Sequence, residues 1–377
     1  MRISFEPTDL TGAERALQRE VREFLSTELP PGSYERGLGM ASAKDRAFSG
    51  KLAERGWVGM ALPAAYGGGG RSAMDRFVVV EELLRWGAPL GHHWVADRQT
   101  GPMILRYGSE EQKRRFLPAI ARAEVSFSIG MSEPDSGSDL ASVATRAVPC
   151  RGGWSVSGRK LWTSGAAEND WMTVLCRTSV EDDRHAGLTQ LLVELSSPGL
   201  TINPITFIDG TSGFNEVVLD DVFVPENLVL GEIGGGWRQI GSELAFERGG
   251  PDRWLSSYGV VEELLRTGLV NSDTELERFV GSLVARWWVI RRLSMSVARM
   301  IDNGQAPAIE AALVKSIGTC FEQDIVTGLA EILDDEDRAT TGQQFQHIFA
   351  RAILTSPSWT IRGGTSEVLR SIVARGM

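Results

Sequence analysis

Glu247 has the clearest chemical prospect in this chain. Trp237, Ile240, Leu244 and Glu247 are spaced by three, four and three residues, which puts them on one stripe of a helix. A carboxylate at the end of an apolar stripe is unusual, because burying an unpaired charge is expensive. Burial would raise its pKa and make it a usable general base near neutral pH. The plainer alternative is a carboxylate at a helix end, paired with a basic residue. Helical geometry alone leaves both open, and Arg248 does not face it, since i and i+1 side chains diverge.

Three further stretches offer binding chemistry. Gly363-Gly364-Thr365-Ser366-Glu367 precedes a helical pattern at Val368, Leu369, Ile372 and Val373. Thr365 or Ser366 would cap that helix, and the glycines let backbone approach a phosphate or flat ring closely. Ser132 to Asp139 is a loop of small polar residues, suited to binding a ligand or simply to joining elements. Trp162-Thr163-Ser164-Gly165 ends a predicted strand with an indole beside hydroxyls, a pattern that serves a core or a cofactor wall. The four histidines (His92, His93, His185 and His347) and three cysteines (Cys150, Cys176 and Cys320) form no metal-ligand spacing.

The elements that must position these residues come in three blocks. Residues 1–125 are mainly helical in period, broken by the run Pro63 to Gly70. Residues 126–230 carry five or six short strands between turns, which predicts a small antiparallel β domain. From 231 to 377 the helical period returns in four or five long segments. The order helices, strands, helices, without βαβ alternation, predicts an α+β fold, mainly α, and excludes a doubly wound nucleotide-binding sheet.

Composition narrows the class. With 39 basic and 49 acidic residues the net charge is −10, which argues against a nucleic-acid binder. A hydrophobic content of 42% supplies a large core. No run of apolar residues is long enough to span a membrane, and the polar start lacks a secretion signal. Few cysteines, far apart, fit a reducing compartment. The expectation is an acidic, cytoplasmic enzyme without a metal.

Read together, the motifs resemble the acyl-CoA dehydrogenase family over nearly the whole chain. Gly56-Trp57 with Pro63 to Gly70 resembles the family's PxxYGGxG turn. Tyr107 to Lys113 with Leu117-Pro118 resembles the stretch leading to its β domain. Ser132 to Asp139 is similar to the TEPxxGSD loop, with serine first, and Lys160 to Ala166 to the KxWITNA strand. Val222 to Pro225, Leu230-Gly231-Glu232 and Gly236-Trp237 match VxVPxxxxLGExxxGW, and Gly364 to Glu367 matches GGTSE.

The resemblance implies an N-terminal helical domain, a middle β domain, a C-terminal four-helix bundle, and FAD between the last two. It places Met131, Ser132, Gly137, Ser138, Trp162, Thr163, Ser164, Gly363, Gly364 and Thr365 at the cofactor. It places Ser138, Phe246 and Arg248 at the substrate. The implied reaction is oxidation of an acyl-CoA thioester to the trans-2-enoyl-CoA, a glutamate taking the α-proton while the β-hydrogen leaves as hydride to flavin N5. In many members that glutamate immediately precedes the C-terminal Gly-Thr, where this chain has Gly363. Other members carry it one residue before the arginine of the first C-terminal helix. That position is Glu247, which becomes the expected base.

One departure bears on the cofactor. Glu277 to Ser282 does not keep the family's RxxxFG…Q spacing, by which arginine and glutamine hold FAD across a subunit interface. The adenine end is therefore expected to be held differently, or by a non-identical chain. That feature, with Met1-Arg-Ile-Ser, Gly70 to Asp75 and Phe127 to Gly130, resembles the actinobacterial α2β2 dehydrogenases of steroid side-chain CoA thioesters, catalytic subunit. A homotetramer is the other assembly considered, and electron-transfer flavoprotein the expected acceptor. Rival readings are an acyl-CoA oxidase, a carrier-protein-linked acyl dehydrogenase, and a non-catalytic partner subunit.

Overall fold

The computed structural model describes residues 3–39 and 43–376, apart from the side chains of residues 242–247 and 335. Met1 and Arg2, of the Met1-Arg-Ile-Ser stretch, lie outside the described residues. The chain forms two compact units. One takes residues 1–43, 72–89 and 245–377, and the other takes residues 44–71 and 90–244. Twelve α-helices run through the described residues. Among them, none is long and apolar enough to cross a membrane.

The first unit is helical. It contains α1 (Gly12–Glu28), α3 (Ala73–Trp86), α7 (Tyr258–Thr267), α8 (Thr274–Asp302), α9 (Ala308–Ile332), α10 (Asp335–Thr340), α11 (Gln343–Thr355) and α12 (Ser366–Gly376). Thr11 starts α1 with a reciprocal cap, its hydroxyl accepting from the Glu14 amide while the Glu14 carboxylate accepts from the Thr11 amide at 2.8 Å. The same carboxylate pairs with Arg299 of α8 at 2.6 Å, so one side chain both begins a helix and ties it to another. Ser72 caps α3, and Gly87 ends it at φ +67°.

α3 is buried along most of its length, and it carries Glu81 and Glu82 into the interior. Arg291 of α8 meets Glu81 through Nε and Nη2 at 2.6 and 2.8 Å. Arg22 of α1 meets Glu82 in the same two-pronged way at 2.9 and 2.8 Å. Burial pushes the Glu81 carboxyl above its ordinary value, and the Arg291 guanidinium opposes that shift. α9 packs against both α8 and α12, and α11 against α7.

The second unit carries α2 (Arg46–Glu54), α4 (Gly101–Tyr107), α5 (Glu110–Ala121) and an eight-stranded sheet. The strands are β1 (Phe127–Gly130), β2 (Arg146–Cys150), β3 (Gly153–Ser164), β4 (Trp171–Arg177), β5 (Leu188–Glu194), β6 (Leu200–Thr206), β7 (Ser212–Pro225) and β8 (Val229–Leu230). Their order is β6-β7-β3-β2-β4-β5-β8, with β1 against β4. Most pairings are antiparallel, as expected. β1 and β2, however, both run parallel to β4 on the edge that β5 leaves free. Residues 131–145, which include the Ser132 to Asp139 loop, therefore do not reverse the chain. They leave the sheet after β1 and rejoin it at β2. The core beneath is built from Trp154, Val156, Met172, Val174, Leu191 and Val217 among others.

Two local features explain the turns that hold the helices. Gly70 donates to the Leu62 carbonyl at 2.8 Å, and a Cβ on Gly68 would sit 2.2 Å from that same oxygen. Glycine is therefore required where the chain folds back on itself. Gln112, in the reciprocal cap that starts α5, also donates to the carbonyls of Asn227 and Val229. α6 (Gly236–Glu247) begins among the residues of the second unit and ends among those of the first.

Cutting the α3–α8 tie tests the helical unit. Glu81→Ala leaves Arg291 beside a buried void, and equilibrium urea unfolding should show a loss of about 3–5 kcal/mol.

Candidate active site

The expected cofactor residues fall in both units. In the sheet-bearing unit, the loop after β1 is pinned by a buried ion pair. Lys160, fully buried on β3, donates to the Glu133 carboxylate at 2.8 Å and to the Met131 carbonyl at 3.1 Å. Glu133 also accepts from the amides of Ala144 at 2.6 Å and Thr145 at 2.9 Å. Both ends of the 131–145 loop thus converge on one pair of charges. Burial would raise the Glu133 carboxyl, but the Lys160 charge and these hydrogen bonds outweigh it and hold the group below its ordinary range. Burial pulls the Lys160 ammonium below its ordinary value, against the attraction of Glu133.

The loop so held presents Ser132, Gly137 and Ser138, the last two exposed. The Ser132 carbonyl accepts from the Leu161 amide at 2.9 Å, which joins the loop to the strand that bears the tryptophan. Met131 packs on a small cluster of Val143, Leu175, Leu188 and Ile240. At Trp162 the pairing of β3 with β7 is interrupted between Lys160 and Thr163, and Trp162 takes φ +61°. That conformation is uncommon outside glycine and turns the side chain away from the regular pleat. The indole is 53% exposed, with one edge contact to Phe214. Beside it, Thr163 is fully buried and its hydroxyl has no partner among the described residues. An exposed aromatic face, an unmet buried hydroxyl and open space at Gly137, where a Cβ would touch nothing, fit a flat heteroaromatic ring with polar edges.

In the helical unit, the site centres on Gly363 and Gly364, at φ +64° and +99°. Thr365 caps α12, its hydroxyl accepting from the Val368 amide. Cationic side chains surround the turn. Arg248 Nε reaches the Gly363 carbonyl at 3.4 Å, and Lys315 Nζ the Gly364 carbonyl at 2.6 Å. Arg253, fully buried and paired with Asp252 at 2.9 Å, lies 3.0 Å from where a Cβ of Gly363 would be. Arg362 donates to the Ser256 hydroxyl at 2.7 Å and to the buried Glu322 at 3.3 Å. Burial raises the Glu322 carboxyl, with Arg362 opposing.

Glu247 and Phe246 end α6, and their side chains lie outside the described residues. The stripe to which Glu247 belongs is graded, Ile240 being buried while Trp237 is 39% exposed and packs against the His185 ring. Sequence reasoning took Lys160 only as the start of a motif and passed over Glu133, Arg253, Lys315 and Glu322 as site-building residues. Of these, Lys315 carries a signal, a charge that follows the apolar run Ala311-Ala312-Leu313-Val314.

Comparison with known proteins gives the class, an FAD-dependent oxidoreductase acting on a CH–CH bond. Family models described as the acyl-CoA dehydrogenase N-terminal, middle and C-terminal domains match residues 11–124, 128–222 and 234–377. The chain belongs to the acyl-CoA dehydrogenase family, whose cofactor is FAD. It is 34% identical over 375 residues to acyl-CoA dehydrogenase IpdE1 of Mycobacterium tuberculosis, covering 94% of each chain. It is 34% identical over 328 residues to acyl-CoA dehydrogenase FadE34 of the same organism, matching 86% of this chain but 44% of that relative's length. Among solved structures, it resembles the Tcur3481-Tcur3483 steroid ACAD with a TM-score of 0.86, 28% identity and 98% of each chain covered. The ChsE4-ChsE5 complex from Mycobacterium tuberculosis gives 0.83 at 27% identity, with 100% of this chain and 99% of that one covered.

The Glu133–Lys160 pair yields a pH test. Glu133→Gln leaves the Lys160 ammonium buried without its counter-charge and should cost about 3–5 kcal/mol at pH 7 by chemical denaturation. Glu133 has a depressed folded pKa, so its contribution is complete above its ordinary value of 4.5 and is lost as pH falls through the folded value. The stability gap between parent and variant should therefore narrow in acid, and also in alkali, where Lys160, its ammonium disfavoured by burial, loses its proton.

Proposed function

We propose that this chain is the catalytic subunit of a dehydrogenase that forms the trans-2-enoyl-CoA from a bulky, steroid side-chain type acyl-CoA, with Glu247 as the α-proton base. The observation that carries this reading is the contact of Arg248 with the Gly363 carbonyl. It sets the end of α6 against the Gly-Gly turn, which supports Glu247 in the role that residue 363 cannot fill. Gly363 cannot hold a proton, and the Arg253 guanidinium fills the space beside its α-carbon. The similarity to acyl-CoA dehydrogenase IpdE1 of Mycobacterium tuberculosis and to the Tcur3481-Tcur3483 steroid ACAD supports the substrate class.

The residues divide the work. Trp162, Thr163 and Ser164, with Met131, Ser132, Gly137 and Ser138, would hold FAD, and so would Gly363, Gly364 and Thr365. When bound, the flavin supplies the acceptor for the β-hydrogen. An α-proton of a thioester is a weak acid, so backbone N–H groups at the thioester oxygen and exclusion of water must stabilise the developing enolate. Ser138, Phe246 and Arg248 would meet the substrate, Arg248 supplying local positive charge in an acidic chain. We assign residues 1–125, 126–230 and 231–377 as the three family domains. The assembly is a heterotetramer with a homologous subunit, and electron-transfer flavoprotein takes the electrons in the cytoplasm.

Glu247→Gln should keep FAD bound and slow flavin reduction by substrate about 100- to 10,000-fold in anaerobic stopped flow. Reduction at the parental rate removes Glu247 as base. Purification of the chain alone and with its homologous partner, with mass and bound flavin measured, tests the assembly. A flavin-replete homotetramer from this chain alone rejects the heteromer.

A further inference from the structure

We propose that Lys315 is a positioning residue of the active site, locking the Gly363-Gly364 turn in one orientation; the catalytic part of this rests on the function proposed above. Lys315 projects from α9 and is fully buried, and its ammonium donates to the Gly364 carbonyl at 2.6 Å. Charge-assisted hydrogen bonds of this kind are stronger than neutral ones, and more so away from water. The reason one is needed lies in the turn. Two glycines in succession restrict their own dihedrals less than any other pair, and both here sit at positive φ. Rotation of the peptide between Gly364 and Thr365 meets no side chain on Gly364, so the glycines alone cannot select one orientation.

The ammonium makes the selection. In a trans peptide the carbonyl and the following N–H point in opposite directions. Holding the Gly364 oxygen toward Lys315 therefore aims the Thr365 N–H the other way. A flip would turn that N–H toward a buried cation and leave the ammonium without this acceptor, an arrangement that buried charge disfavours. Arg248 restrains the preceding peptide more loosely, through the 3.4 Å contact with the Gly363 carbonyl. The two cations act on successive carbonyls, and Thr365 carries the result into the first turn of α12, which it caps. Lys315 thus acts on the reaction through backbone direction.

The test compares Lys315→Met, which keeps length and removes charge, with the parent, both in the full FAD-loaded chain with its partner. Hydrogen–deuterium exchange of the peptide spanning residues 362–368 should speed up at least tenfold, while peptides from α8 and α11 keep their rates. The rate constant for flavin reduction by substrate should fall at least tenfold with KM changed less than threefold. Lys315→Arg, which restores a cationic donor, should recover part of both. Unchanged exchange at 362–368 overturns the proposal, and so does faster exchange spread evenly over the helical unit, which marks a general loss of stability. Should Lys315→Met not fold, Lys315→Gln is judged by the same two criteria. If the parent reduces its flavin with no acyl-CoA, the proposed function fails, and the exchange measurement still decides whether the lysine locks the turn.

Discussion

A buried ammonium held against a backbone carbonyl recurs in this structure, and the candidate site depends on it in both units. Lys160 holds Met131, and Lys315 holds Gly364. Both carbonyls belong to segments with little shape of their own, a loop of small polar residues in one case and two glycines in the other. Such backbone can approach a ligand closely because it lacks bulk, and for the same reason it cannot order itself. Rigidity has to come from the scaffold, and β3 and α9 provide it through a charge set deep in the core. The carboxylate Glu133 makes the first arrangement tolerable in electrostatic terms, and the paired charges Asp252–Arg253 and Glu322–Arg362 surround the second.

How much of this could be read from the chain depends on what each signal encodes. The order of helices, strands and helices was legible because apolar spacing changes period at the right places. The glycine and hydroxyl motifs were legible because few structural needs call for those residues together. Partner choice was not. Period reports which face of α3 is buried but not that Arg291, 210 residues later, meets Glu81 there. The parallel placement of β1 and β2 along β4 was hidden for a similar reason, since strand propensity carries no direction. Lys160 and Lys315 escaped notice because a lysine is usually a surface residue, and only three-dimensional neighbours reveal one that is fully buried.

In the function proposed above, Glu247 takes the role that many family members give to the position of Gly363. The exchange has a structural correlate: Arg253 lies against the bare α-carbon, so the volume that a glutamate side chain would need near the turn is partly taken.

The discontinuity of the helical unit has a consequence for how the protein comes to exist. α1 and α3 leave the ribosome early, carrying Glu14, Glu81 and Glu82, whereas Arg291 and Arg299 follow more than two hundred residues later. Arg22 of α1 is already made when Glu82 emerges. At synthesis rates of about 5–20 residues per second, however, Glu81 waits on the order of 10–40 seconds for Arg291. Throughout that interval α3 can pack against α1, but the Glu81 carboxylate lacks the cation it meets in the folded chain. The sheet-bearing unit, whose two segments are both complete before α8 is made, can fold first. The nascent chain is therefore exposed to aggregation and chaperone capture mainly through its own N-terminal helices, and a truncation that removes α8 would leave them permanently in that condition.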